Sequence, residues 1–222
     1  KNIKALTLAP LVALFGTSHS LAEYGVTIGL TGSMAMIDAS GQETEGGEVT
    51  RDEASNNAGV GSIFIEYNDI LGTGLSLGVD YIPGSADVSS SIKSRSDANS
   101  EGDSATNKAQ AEIDAHTTYY VTYTVGEGAY LKLGYVQADL NTLEVLGTGS
   151  KYGNETLDGV ELGAGVEFDV YDNTVGRFEL THIDYGDIDI RSSVARSGVA
   201  TNNLIEADLD VTRLSASLGY KF

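Results

Sequence analysis

Few residues in this 222-residue chain have the types and spacing to do covalent chemistry. There is no Cys, which removes disulfides, thiolate zinc sites and thiol nucleophiles together. Of three His, only His116 and His182 lie beyond the N-terminal stretch. Either could act as a general base, but neither has an acid placed beside it by sequence, and a hydrogen-bonded structural role is the simpler reading. Gly72-Thr73-Gly74 has no strand-to-helix context and reads as a turn, not a phosphate loop. Five acids alternate in two runs, Asp187 and Asp189, then Glu206, Asp208 and Asp210. On adjacent antiparallel strands these carboxylates could meet around a hard cation; a hydrated acidic rim is the plainer reading. Eight more charges, Glu66, Asp80, Lys132, Glu161, Glu167, Arg177, Glu179 and Arg213, recur at alternate positions among Gly, Ser and Thr. Lys132, Arg177 and Arg213 can pair there with Glu161, Glu167 and Glu179, since charges removed from water need partners.

The formal net charge is −19. A surface this acidic repels phosphate backbones, so nucleic acid is not an expected partner. Nothing in the residue pattern calls for a cofactor or an essential metal. Lys1 and Lys4, then the apolar stretch Ala5–Gly16, then Ser20-Leu21-Ala22 have the order of an export signal cleaved after Ala22. The expected organisation is a signal peptide over 1–22 and one domain over 23–222.

Charges at alternate positions imply strands. Segments of about ten residues alternate apolar with small or polar side chains, which is strand periodicity. Eight are expected: Tyr24–Ile37, Ala58–Tyr67, Leu75–Ile82, His116–Val125, Ala129–Leu140, Val160–Val170, Val175–Ile190 and Val211–Phe222. The seventh slips in phase, because Ile183 and Tyr185 continue the apolar series begun by Phe178 and Leu180; a bulge near His182 would explain it.

The connections alternate in length. Those after the second, fourth and sixth strands are short; Ala39–Asn57, Pro83–Ala115, Asn141–Gly159 and Arg191–Asp210 are long and polar. A soluble β-sandwich, the main rival fold, has no reason to sort its loops by parity, whereas outer-membrane barrels do. No continuous apolar run is long enough for a spanning helix, so a membrane-embedded form must be a closed barrel. The expected fold is all-β: an eight-stranded antiparallel up-and-down transmembrane β-barrel, apolar side chains to lipid and the eight charges filling a polar lumen. Tyr24, Tyr67, Tyr123, Phe168, Phe178, Tyr220 and Phe222 would ring the periplasmic rim, with Tyr81, Tyr119, Tyr135 and Tyr185 higher.

The chain ends Leu214-Ser-Ala-Ser-Leu218-Gly-Tyr220-Lys-Phe222, apolar at alternate positions up to a terminal aromatic. This resembles the C-terminal signature that the barrel-assembly machinery reads in bacterial outer-membrane proteins, with Leu214, Leu218, Tyr220 and Phe222 carrying it. In length, strand number, loop parity and ending, the chain resembles the small eight-stranded class: the opacity-protein, OmpX/Ail-like and OmpA transmembrane-domain families. That resemblance implies location in the bacterial outer membrane, contact with its lipid and lipopolysaccharide, and mobile outer loops suited to a host, phage or matrix ligand. The leading expectation is a structural or surface-interaction barrel, not an enzyme. A narrow cation-favouring porin is the alternative. Third comes an outer-membrane hydrolase: small barrels that deacylate lipid A use His with Ser and an acid, which His116-Thr117-Thr118 matches only distantly, and omptin-like proteases need a larger ten-stranded barrel.

Overall fold

The computed structural model of the chain describes residues 25–45, 47–88, 93–98, 104–143, 151–193 and 201–222. The expected signal peptide, Tyr24 and parts of the longer loops lie outside the described residues. Eight long strands form one antiparallel ring: β1 (Val26–Glu45), β2 (Glu48–Tyr67), β3 (Leu75–Ile82), β4 (Ala111–Thr124), β5 (Ala129–Thr142), β6 (Glu155–Tyr171), β7 (Thr174–Arg191) and β8 (Leu204–Lys221). Neighbours in sequence are neighbours in the sheet, β3 pairs with β4, and β1 pairs with β8, which closes the barrel. The closing seam runs from Thr27↔Lys221 to Thr44↔Leu204. Three short turns lie at one end. Asp69, Leu71 and Gly72 hold left-handed backbone there, and Gly128 does so at φ 75. A Cβ on Gly128 would stand 2.2 Å from the Glu167 carbonyl oxygen, so the β4–β5 turn can use only glycine at that point.

The strands run well beyond the expected bounds at the other end. Ala39–Asn57, read from sequence as a loop, is the paired top of β1 and β2, up to the pair Glu45↔Glu48. Glu155–Gly159 and Leu204–Asp210 likewise extend β6 and β8. Within the β3–β4 connection, Ala86–Asp87 pairs with β4, and Lys93–Ala98 pairs with Ser104–Ala109 as a separate hairpin.

The barrel changes polarity along its axis. Towards the short turns, the outer wall is apolar, with Leu30, Met34, Ile63, Leu77, Leu133, Leu162, Leu180, Leu214 and Leu218 all exposed. Towards the far end the apolar residues turn inward. Ala35, Ile37, Ile113, Val136, Ala138, Leu140, Leu157, Ile183, Ile188, Ile190, Leu209 and Val211 fill the bore as one cluster, joined by Val88 from the β3–β4 connection. Outside that cluster stand Asp38, Asp184, Asp208 and Asp210. The lower half has a lipid-facing wall, and the upper half is built like a water-soluble barrel with an apolar centre.

This inversion corrects the reading of β7. No bulge occurs at His182, since pairing runs unbroken from Arg177 to Tyr185 against β8; the shift lies between Tyr185 and Ile188. Ile183 and Tyr185 are buried inside, at 0% and 2% exposure, so Tyr185 belongs to no outer aromatic ring. The apolar series continued in sequence because the environment outside changed, not because the strand lost phase.

Candidate functional site

The lower bore is filled by charge. Its side chains come from alternate positions on six strands, where small neighbours leave room: Gly29 and Gly219 lie under the Phe64 ring, Gly78 under Tyr120, and Gly165 under Tyr130. All eight charged residues singled out by alternation face this space. They form two linked clusters.

Near the short turns, Arg177 of β7 reaches across the bore to Glu66 of β2, with Nη2–Oε1 at 2.6 Å and Nη1–Oε2 at 3.0 Å. Its Nε donates to Glu167 Oε2 at 2.8 Å. Lys221 donates to the other Glu167 oxygen at 2.6 Å. The guanidinium stands 5.1 Å from the Phe64 ring centroid. Above it, Lys132 lies 2.8 Å from Glu161 and 2.9 Å from Glu179, and Tyr130 donates to the second Glu179 oxygen at 3.0 Å. Arg213 bonds Glu161 at 2.5 Å and stands 3.7 Å from Asp80, to which Ser62 donates at 2.6 Å. Five carboxylates therefore share four cations (Lys132, Arg177, Arg213 and Lys221). The pairs tie β2 to β7 and β3 to β8 directly across the bore, contacts that neighbouring-strand ladders cannot make. Alternation in the sequence signalled the membership, but not these cross-bore partners or the participation of Lys221.

Little space remains. The cavity between the two clusters, lined by Thr31, Ser33, Lys132, Arg177, Arg213 and Ser217 among others, is about 20 Å³. That is room for one water molecule. Above it the apolar cluster closes the bore a second time. The expected polar lumen is thus confined to the lower half.

The mouth itself is strapped. Tyr152, in the β5–β6 connection, donates to Glu43 of β1 at 2.6 Å, and Asn203 donates to the same oxygen at 2.9 Å. Tyr152 also bridges Ser192 at the end of β7.

The two histidines differ. His116 is buried at the boundary between the ion pairs and the apolar cluster, edge-on to Tyr185 at 6.3 Å between centroids. Its Nδ1 has no hydrogen-bond partner among the described residues. His182 faces outward, with Nδ1 3.1 Å from Thr212 Oγ1 and Nε2 3.5 Å from Asp210.

The five-acid cation site does not assemble. Among the described residues no group of three His, Asp or Glu side chains is placed to hold one ion. Asp189 stands opposite Glu206, but Asp208 and Asp210 follow at successive outward positions along β8.

On the outer wall, Asp158 accepts hydrogen bonds from Tyr135 and Gln137, which hold its carboxyl below the usual carboxylate range. A depressed folded-state value gives stability that is present above the unfolded value and lost as pH falls through the folded one. The acid limb of the unfolding profile should therefore become slightly flatter in Asp158→Asn, checked by gel mobility after incubation across acidic pH. An unchanged limb would discount the clasp.

The profile of a family described as "Outer membrane protein beta-barrel domain" matches residues 7–222. Among solved structures, the outer membrane protein OprG from Pseudomonas aeruginosa is 14% identical, with 89% of this chain and 96% of that chain covered at a TM-score of 0.50. The outer membrane protease OmpT from Escherichia coli is 12% identical, covering 89% and 97% at 0.51. Ail, the attachment invasion locus protein of Yersinia pestis, is 14% identical, covering 86% and 98% at 0.38. Among curated proteins, none matches the chain.

Proposed function

The chain belongs to the outer-membrane protein β-barrel family of bacteria, and from that premise we propose that it works as a closed barrel of structural and surface-interaction type, not as a porin. The observation that carries this reading is the double closure of the bore. An ion needs a continuous wet path. Here the ion-pair clusters leave about 20 Å³, and the apolar cluster above them buries Ile37, Val136, Ile183 and Leu209 at 2% exposure or less. Opening one layer leaves the other shut, which argues against the narrow cation-favouring channel.

In this reading the charges act on the barrel itself, as cross-braces that fix strand register. The lower wall contacts lipid and the acidic upper wall stands among lipopolysaccharide headgroups. Leu214, Leu218, Tyr220 and Phe222 lie exposed along β8 and serve as the strand that the assembly machinery captures. Phe222 donates its backbone N–H to Val26 at 2.9 Å, closing the first strand onto the last. No catalytic role falls to His116, which is 6% exposed and beyond the reach of lipid or peptide.

Purified, refolded protein in planar bilayers should give no discrete conductance steps, and Ile183→Ala should stay silent too, because the ion pairs still close the bore. Regular single-channel steps from the unaltered protein would overturn the proposal.

A further inference from the structure

The three short turns differ at their tips. Glu127, between two glycines, tips the β4–β5 turn, and Asp172 tips the β6–β7 turn; both are exposed. An ionised tip of this kind belongs in water. The β2–β3 turn, from Asn68 to Gly74, presents Leu71 instead, at 93% exposure, with Ile70 half-buried beside it.

This leucine is costly where it stands. Its backbone is left-handed, at φ 55 and ψ 26, a region that suits Gly, Asn or Asp and crowds other side chains. Its side chain is left almost bare, which in water is unfavourable too. The turn nevertheless holds it firmly. The Asp69 carboxylate accepts the Gly74 N–H at 2.7 Å, and the Asp69 N–H donates to Ser76 Oγ at 3.1 Å. The Ile70 carbonyl accepts both the N–H and the hydroxyl of Thr73, at 3.1 and 2.6 Å. Gly74 carries the brace on to β4, its carbonyl accepting the Thr124 N–H at 2.9 Å. Strained backbone persists only where its surroundings over-determine it, and it collects at sites of contact.

What adjoins the turn identifies the contact. Leu75 and Leu77 of β3 and Tyr123 of β4 are exposed on the outer wall next to it, with Leu75 paired to Tyr123. A Cβ on Gly74 would lie 3.7 Å from the Tyr123 ring, so the turn abuts this wall directly. The apolar surface that faces lipid thus runs on into Ile70 and Leu71. We propose that Leu71 inserts into the periplasmic leaflet, at the boundary between headgroups and acyl chains, and pins the β2–β3 side of the barrel there while the other two turns stand in water. Asp69, exposed two residues earlier, limits the depth to that level, because its carboxylate must keep water. The proposal rests on the lower wall lying in lipid, as read above, and not on a sealed bore.

The chain has no Trp and no Cys, so one introduced side chain of either kind reports alone. The test compares Leu71→Trp, Leu77→Trp on the wall and Glu127→Trp on the neighbouring turn, each as the refolded full chain in phosphatidylcholine vesicles. Quenching by lipids brominated near the top of the acyl chain is read against quenching by iodide present on both sides of the bilayer. Leu71→Trp and Leu77→Trp should be quenched several-fold more by bromolipid than by iodide, and Glu127→Trp the reverse. Leu71→Cys, whose side chain is too small to draw the turn into lipid, should react several-fold more slowly with a water-soluble maleimide than Glu127→Cys. If Leu77→Trp reports lipid but Leu71→Trp is as open to iodide as Glu127→Trp, or if the two Cys variants react equally fast, the proposal is overturned alone. Iodide reaching Leu77→Trp would overturn the lipid-facing wall and this proposal with it.

Discussion

Replacing Arg177 with Met should cost the barrel about 3–5 kcal/mol, the usual consequence of removing one member of a buried charge group. Glu66 is 2% exposed and receives both of its close contacts from this guanidinium. Met fills much of the volume but leaves the Glu66 carboxylate without a counter-charge. Glu167 fares better, because Lys221 still holds it at 2.6 Å. The loss should therefore fall mainly on the β2–β7 brace. Arg177→Met combined with Glu66→Gln should recover much of it, since the double variant leaves no naked carboxylate. The measurement is the urea midpoint of the folded band in unheated gels. If the single variant unfolds at the wild-type midpoint, the brace contributes nothing; if the double variant loses the sum of both single losses, the two side chains are not coupled.

Gly29→Val should cost about 3 kcal/mol, at the upper end for overpacking. A Cβ there would lie 2.4 Å from the Phe64 ring and 2.5 Å from the Leu218 carbonyl oxygen. The ring could turn only by leaving Gly219 and the guanidinium of Arg177, and the carbonyl belongs to the seam between first and last strands. Gly32→Val is the matched control, because the space around its Cβ is empty within 4 Å. Slow or incomplete barrel closure in refolding kinetics for Gly29→Val, with Gly32→Val unaffected, is the expected pair of results. Equal behaviour of the two would show that the seam tolerates the extra atoms.

The lower half of the barrel was legible in the sequence because each strand there meets two sharply different surroundings. Leu131, Leu133 and Tyr135 against Tyr130, Lys132 and Gly134 can be read only one way. The bounds of β3 were found because Gly74 and Pro83 punctuate both ends. The upper half was hidden for a physical reason. Its inward residues on β1 and β2 are small, Ala39, Gly41, Ala54 and Ala58, and its outward residues are polar or charged, so the alternation looks like a polar loop. His182 was misjudged as a bulge because one face was expected to stay apolar along the whole of β7. Cross-bore partners such as Arg177 and Glu66, 111 positions apart, depend on barrel shear, which no local pattern carries. The acids of β7 and β8 do lie on adjacent strands, but rows of outward carboxylates are not a coordination sphere.

The polarity inversion also acts as a waterline. Pushing the barrel inward by one pleat would carry Asp38, Asp184 and Asp210 into hydrocarbon, where an ionised side chain costs on the order of 2–3 kcal/mol. Lifting it by the same amount would strand Met34, Leu180 and Leu214 nearer to water. The chain thus encodes its own draught, and encodes it for one orientation alone, since turned over it would sink its carboxylates and float its leucines.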